Sequence, residues 1–322
     1  MKIAYDAKRF LSNTSGLGNY SRDLVRIMAT FFPANQYFLL GDSPSEIGKE
    51  IMAMPGVEFV QIPKGKLSRQ VRMGLAAQRL NTDIFHGLSG ELPLKWDKTP
   101  IKKIVTIHDL IFVRFPEYYS WFDRKIHLWK FRKAAHAADV IIAISEQTKQ
   151  DIIHYLRIPA DKIKVVYQGC HQAFKEKSSA EFLSAVKRKY NLPDRFVLSV
   201  GTVEPRKNLF NVIRALEGTA VPVVVVGKKK KKYFTKIQKE ISRGGVTVYF
   251  PENVSTSELA AIYQLSDMLV YPSMFEGFGI PVIEALFSGI PVITSNLSSL
   301  PEAGGAGGLY VHPDNAADMR AK

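Results

Sequence analysis

The stretch MLVYPSMFEGFGIPVIEALF, residues 268–287, contains the unit on which the fold reading rests. MLVYPS is an apolar run short enough for a buried strand, and IPVIEALF starts a helical pattern after a turn holding Gly277 and Gly279. Pro281 suits the first helical turn, where its missing N–H has no intrahelical partner to lose. Glu276 is then placed in the turn and Glu284 in the first turn of the helix. A strand followed by a glycine turn and a helix is half of a βαβ unit, and the next apolar run, IPVITS at 290–295, supplies the following parallel strand.

The same pattern recurs in both directions. Upstream, RFVLSVG (195–201), VPVVVVG (221–227) and VTVYF (246–250) read as strands. So do KIAYDA (2–7), QYFLLG (36–41), VEFVQI (57–62), DIFHG (83–87), KKIVTIHDL (102–110) and DVIIAIS (139–145) in the first half. Helical periodicity lies between several of them, as in 19–31, where Leu24, Ile27, Met28 and Phe31 are expected to share the buried face. Near-continuous apolar strands alternating with helices predict parallel sheets covered on both faces. The polar interval at about 172–194 separates two such sets. The expected architecture is α/β, with a doubly wound Rossmann-like domain at 1–171, a linker at 172–192 and a second Rossmann-like domain at 193–322.

Composition narrows the partners. The 322 residues carry 44 Lys and Arg against 30 Asp and Glu, a formal charge of +14 that favours nucleotides, phosphates, nucleic acid or an acidic membrane surface. No motif with interleaved base-stacking aromatics supports nucleic acid. Cys170 is the sole cysteine, which excludes an intrachain disulfide and a cysteine-based zinc cluster and fits a reducing compartment. The chain start lacks a signal-peptide pattern and no stretch approaches a membrane span, so a cytoplasmic location is expected. The run Lys228–Lys232 reads as a solvated surface turn.

Two nucleotide-binding readings fail. SGLGNY (15–20) has Gly16 and Gly18, but Ser21 stands where a dinucleotide fingerprint needs its third glycine. No GxxxxGK[ST] loop occurs, and there is no Asp-x-Asp triplet to bridge a metal to a nucleotide sugar. What remains is a pair of features. The glycines beside Glu276 let a ligand approach the backbone, and the helix N-terminus behind them favours a diphosphate. Glu276 and Glu284 would stand about 12 Å apart even if the segment were wholly helical, a reach suited to two ends of one elongated ligand. Each carboxylate is an acceptor for neighbouring hydroxyls, on a sugar and a ribose. In SVGTVEPRKN (199–208), Arg206 and Lys207 follow a strand at the edge where open parallel sheets bind ligands. Taken alone they read equally as a solvated pair.

EPRKN (204–208) and the Glu-x7-Glu of EGFGIPVIE (276–284) resemble the retaining glycosyltransferases of family 4, group 1. YDAKRF (5–10), SGLGNYSRDL (15–24), DIFHG (83–87) and TIHDL (106–110) resemble the N-terminal domain of the same family, its mannosyltransferase-like members above all. The resemblance implies a GT-B fold of two facing Rossmann-like domains, the first binding the acceptor. It implies a nucleotide-diphosphate-sugar donor, with GDP or UDP as the nucleotide and mannose the favoured sugar. Glu284 would hold the ribose and Glu276 the transferred sugar, Arg206 and Lys207 the diphosphate, and the turn residues Gly277, Phe278 and Gly279 the donor. Gly16 would approach the phosphates, and His108 the sugar near the reaction centre. The implied mechanism is metal-independent and needs no cofactor, and the acceptor is a glycan or lipid-linked glycan in cell-surface polysaccharide or lipopolysaccharide synthesis. Two basic segments with apolar residues, 63–80 and 121–139, are candidates for peripheral contact with the inner face of the cell membrane. Family members continue past the segment matching GGLYVHPDN (307–315), so closing C-terminal helices are expected to be missing. The alternatives are another sugar-phosphate enzyme on the same scaffold, or an inactive nucleotide-sugar-binding partner subunit.

Overall fold

The computed structural model describes residues 1–13, 16–65, 68–94, 96 and 99–322. Ser15 of the SGLGNYSRDL motif and Lys66 and Leu67 of the first basic segment lie outside the described residues. The chain divides into two compact units, Met1–Gln168 and Gly169–Lys322.

The first unit is a parallel sheet of seven strands: β1 (Lys2–Asp6), β2 (Gln36–Gly41), β3 (Val57–Gln61), β4 (Ile84–Gly87), β5 (Lys102–Ile107), β6 (Val140–Ala143) and β7 (Ile163–Val165). Their spatial order is β3-β2-β1-β4-β5-β6-β7. Alternation along the strands sends Ala4, Phe38, Leu40, Phe85 and Val105 to one core, and Ile3, Tyr5, Tyr37 and Leu39 to the other. Both faces are thus dry, which is why these strands show no polar side in the sequence.

The second unit repeats the plan with six strands: β8 (Val197–Val200), β9 (Val223–Val226), β10 (Val248–Tyr249), β11 (Met268–Tyr271), β12 (Val292–Ser295) and β13 (Gly308–Val311). The order is β10-β9-β8-β11-β12-β13, all parallel, with Leu198 paired between Val224 and Leu269. Each sheet reverses its winding direction once, at β1/β4 in the first and at β8/β11 in the second. Loops leaving the carboxyl ends of the two strands diverge there and open a crevice for a ligand.

Three local expectations change. The helix expected at 19–31 runs Gly16–Phe31, and its buried face is Gly18, Ser21, Val25 and Ala29, with Leu24 and Met28 half-buried against the core, while Ile27 and Phe31 are exposed. Small residues let the helix sit close on its neighbours: a Cβ at Gly18 would fall 1.8 Å from the Asn13 carbonyl oxygen. Residues 172–192 contain a helix, Ala180–Lys189, and contribute Phe174, Val186 and Leu192 to the core of the second unit. Apolar burial makes that interval part of the second unit, which begins at Gly169. Within the lysine run, Lys229 pairs with Glu252 at 2.6 Å and lies over the rings of Phe234 and Phe250, and Lys230 pairs with Glu204. Among the described residues no helix is long and apolar enough to cross a membrane.

Candidate active site

The second sheet places EPRKN directly after β8 and EGFG directly after β11, on the two strands that flank the switch point. Pro205–Lys207 form a single 3-10 turn, closed by Asn208 at φ +59°. That left-handed residue is anchored by its amide, which donates to the carbonyls of Pro272 and Pro313. The turn is therefore tied to the loop after β11. The Arg206 carbonyl accepts from the Met274 amide at 2.8 Å and the Ser273 hydroxyl at 3.1 Å.

Glu276 is the hub. Its Oε1 lies 2.6 Å from Lys207 Nζ and 2.7 Å from an Arg206 guanidinium nitrogen, and accepts from Ser273 Oγ at 2.5 Å and Tyr271 OH at 3.0 Å. Burial alone would push this carboxyl up, but Lys207 and Arg206 overcome it and hold it at about 2. Lys207 also donates to the Tyr271 hydroxyl, and burial pulls its own pKa below the ordinary lysine value against the attraction of Glu276. Arg206 bonds the Phe275 carbonyl and Glu204, and its neighbouring anions outweigh burial in keeping it charged. Two half-buried cations facing one deeply acidic carboxylate make a polarised, rigid cluster.

The turn after Glu276 is pinned from the next loop. Ser298 and Ser299 donate to the Glu276 carbonyl at 2.7 and 2.9 Å, and Ser299 also reaches the Phe278 carbonyl at 2.8 Å. Phe278 is buried, so this residue offers its backbone, not its ring, to the crevice. Gly279 stands at φ +120° as the N-cap of the helix Ile280–Phe287, a conformation side chains disfavour. A Cβ there would meet Leu300 at 2.8 Å.

Glu284 lies in the second turn of that helix rather than the first, because the helix begins at Ile280. It is buried and accepts from Tyr263 OH at 2.8 Å. Burial raises it to about 7, with the Tyr263 bond opposing the rise. The structure thus gathers Arg206, Lys207 and Glu276 into one cluster and gives Glu284 a separate, weakly acidic environment. Tyr263, Tyr271, Ser273 and the Ser298–Ser299 pair were not singled out in the sequence. The only available signal was that Tyr271 and Ser273 close a strand at its carboxyl end.

In the first unit, Gly16 opens the 16-residue helix Gly16–Phe31, with no atom within 4 Å of where a Cβ would sit. His108 follows β5 and is buried. Its Nε2 is 2.9 Å from the Leu88 carbonyl and its Nδ1 is 3.0 Å from the Gln168 amide nitrogen, which makes Nε2 the donor and Nδ1 the acceptor of a neutral ring. Burial lowers its pKa to about 4. With both ring nitrogens engaged, His108 is set as a fixed neutral group. Beside it a cavity of about 210 Å3 opens, walled by Arg9, Glu91, Asp109, Phe112, Tyr119 and Phe131. The buried Arg9 Nε has no hydrogen-bond partner among the described residues. A second cavity, about 460 Å3, lies among Val197, Ala215, Met268 and Met319 at the amino ends of the second sheet's strands. Its apolar walls and position set it apart from this chemistry.

Comparison with known proteins agrees with the geometry. Residues 183–322 match the model of glycosyl transferases group 1, and residues 41–173 match that of glycosyltransferase family 4. The chain belongs to the family 4, group 1 glycosyltransferases. This glycosyltransferase is 27% identical over its whole length to the O-antigen chain mannosyltransferase B of Escherichia coli, and spans 89% of that protein. It is 31% identical to the serotype-specific mannosyltransferase WbdA of E. coli over 73% of its own length, but spans only 30% of WbdA. Among solved structures, Anabaena HepE in complex with UDP and glucose superposes with a TM-score of 0.76 at 18% identity, covering all of this chain and 88% of HepE. WaaG, a glycosyltransferase involved in lipopolysaccharide biosynthesis, gives 0.68 at 16% identity, covering all of this chain and 89% of WaaG. The GT-B fold of the glycosyltransferase is that of these structures.

Proposed function

We propose that this glycosyltransferase moves a hexose, with mannose favoured, from a nucleoside-diphosphate sugar to a glycan or lipid-linked glycan during O-antigen or related polysaccharide synthesis. We further infer that it retains the anomeric configuration and requires no metal. The observation that carries the reading is the Arg206–Lys207–Glu276 cluster on the carboxyl edge of the second sheet, at its switch point. The mannosyltransferase names of the E. coli relatives support the sugar, and the UDP in HepE supports a nucleotide donor without deciding the base.

The bond from the sugar anomeric carbon to the leaving phosphate breaks heterolytically, and its electron pair goes to the phosphate oxygen. Arg206 and Lys207 stabilise that charge from fixed positions. The acceptor oxygen attacks from the face the phosphate is leaving, and its proton passes to a phosphate oxygen. Glu276 receives sugar hydroxyls, Glu284 receives ribose hydroxyls, and the backbone of 277–279 borders the donor. The family resemblance extends the assignment to Gly16 for the phosphates and His108 for the transferred sugar, and the aromatic and carboxylate walls of the cavity beside His108 suit an acceptor pyranose. Two resident cations occupy the electrostatic role a divalent ion plays elsewhere, so no cofactor is assigned. The reaction is placed in the cytoplasm, with access to the inner face of the membrane.

The test is transfer from GDP- and UDP-sugars in excess chelator, with the product's anomeric configuration read by NMR. Retained configuration and undiminished turnover support the reading. Inversion, or turnover restored only by a divalent ion, overturns its mechanism, and nucleotide binding without turnover points to a partner subunit. Arg206→Ala is expected to lower turnover roughly 10²-fold or more.

A further inference from the structure

The helix Trp121–Ala137 is built the wrong way round for a water-facing surface. Leu128, Phe131, Ala134 and Ala135 pack inward on the core of the first sheet. The opposite stripe, spaced i, i+4, i+7 and i+11, is Phe122, Ile126, Trp129 and Lys133, a position where a surface helix ordinarily carries polar residues. Trp121 and Phe122 are each 67% exposed, Trp129 49% and Ile126 39%, and Tyr118 and Tyr119 just ahead are exposed as well. Contiguous exposed aromatics of this size mark an interaction surface.

Charge identifies the occupant. The helix carries Arg124, Lys125, Lys130, Arg132 and Lys133 against the single acidic residue Asp123. Lys133 lies within the stripe itself, and Lys125 borders it and sits over the Trp121 ring at 5.6 Å. Lys133 and His136 lie between two concavities of about 440 and 450 Å3 that share Trp129 as a wall. Amphipathic aromatics interleaved with cations match the boundary between acyl chains and anionic headgroups, where rings enter the interface and ammonium groups stay among phosphates. The first basic segment, 63–80, adds to it. Met73, Gly74 and Ala77 of the helix Met73–Arg79 are buried, a Cβ at Gly74 would touch Trp96 and Pro93, and Leu75 and the preceding Val71 are exposed. Pro93 and Trp96 also wall the concavity that includes Trp129.

We infer that the outward face of Trp121–Ala137 is a docking surface for an anionic lipid bilayer, seated by Trp121, Phe122 and Trp129 and held by Lys125 and Lys133. This gives the proposed membrane location a surface, but it does not depend on the transferase reading, because its test reads lipid binding and not turnover.

The experiment is flotation of the full chain with vesicles of phosphatidylcholine alone and with phosphatidylglycerol added. The wild type is expected to float with the anionic vesicles and to remain behind with the neutral ones. Trp121→Ser, Phe122→Ser and Trp129→Ser combined should weaken binding by about tenfold or more, and Lys125→Glu with Lys133→Glu should abolish the preference for anionic lipid. Unchanged circular dichroism and nucleotide-sugar binding establish that both variants fold. Equal flotation of wild type and the serine variant overturns the inference, as does a wild type that ignores anionic vesicles. A concentration-dependent dimer that the same serine variant dissociates, without lipid binding, would reassign the face to a second copy.

Discussion

Tyr263 donates its hydroxyl hydrogen to Glu284 Oε2 at 2.8 Å, so the carboxyl proposed to hold a ribose already has one buried donor before any ligand arrives. Burial nevertheless keeps its pKa at about 7 against an ordinary 4.5. Between those values the folded protein holds a proton that the unfolded chain releases. Glu284's contribution to stability is therefore complete below about pH 4.5 and is lost as pH rises through 7. Ribose hydroxyls donating to the carboxylate would favour its charged form and expel that proton. Nucleotide binding near pH 6 is expected to release up to one proton, and affinity to rise with pH by up to roughly tenfold per unit until about 7. Calorimetry in buffers of different ionisation enthalpy reads the release directly, and Glu284→Gln should abolish it. No release in the wild type would remove Glu284 from the ligand contact.

Glu276 neutralises the same two cations that a diphosphate needs, with Lys207 Nζ 2.6 Å away and Arg206 2.7 Å away. Carboxylate and diphosphate thus compete in part for Arg206 and Lys207. Glu276→Gln keeps the shape and removes the anion. A nucleoside diphosphate without sugar is expected to bind severalfold more tightly to this variant, while sugar transfer falls. The same substitution leaves the largely buried Lys207 without its carboxylate while Arg206 keeps Glu204, so the free variant should lose stability by roughly 1–3 kcal/mol, part of which the nucleotide restores. Titration with UDP and GDP, beside thermal melts with and without nucleotide, checks both signs. Weaker diphosphate binding would mean that Glu276 organises the cations more than it competes with them.

Gly279 is an N-cap at φ +120° whose Cβ position lies 2.8 Å from Leu300. Gly279→Ala adds backbone strain and that collision, for an expected loss of roughly 1–3 kcal/mol. Because the turn carries Glu276, nucleotide binding should weaken along with stability. Urea denaturation, followed by nucleotide titration at a temperature where the variant is folded, separates the two effects. An unchanged denaturation midpoint would contradict the strain assigned to this turn.

The two sheets were legible because their strands are covered on both faces, so that VLSV, VVVV and MLVY carry no polar side. The edge strands β7 and β13 were not, since IKV and GLYV are short and mix apolar with polar or small residues. The face of the helix Gly16–Phe31 was misread because bulk suggested Ile27 and Phe31, whereas close packing selected Val25 and Ala29. In the site, EPRKN and EGFGIPVIE pointed to Arg206, Lys207 and Glu276 by spacing from a strand end. Nothing local marked Tyr263, 21 residues from its partner Glu284, or Gln168, 60 residues from His108. Contacts between distant segments are fixed by tertiary packing and leave no pattern within a window of sequence.

His108 and His86 are both buried in the first unit, and burial lowers them to about 4 and about 3. His86 Nε2 lies 2.8 Å from Thr106 Oγ1, and His108 is held between the Leu88 carbonyl and the Gln168 amide. A histidine that stays neutral in the fold but is protonated in the unfolded chain stabilises the protein fully above about pH 6.5. That contribution drains away as pH falls from 6.5 to 4, amounting to roughly 3 kcal/mol for His108 alone. All three tryptophans, Trp96, Trp121 and Trp129, belong to the first unit, so tryptophan emission reports its unfolding without interference from the second. Melts followed by that signal are expected to shift steadily downward between pH 6.5 and 4.5. His108→Gln should flatten part of the slope while lowering stability at neutral pH. A melting temperature independent of pH over that range would show that these rings are protonated in the fold, and that the Gln168 amide does not donate to His108 Nδ1.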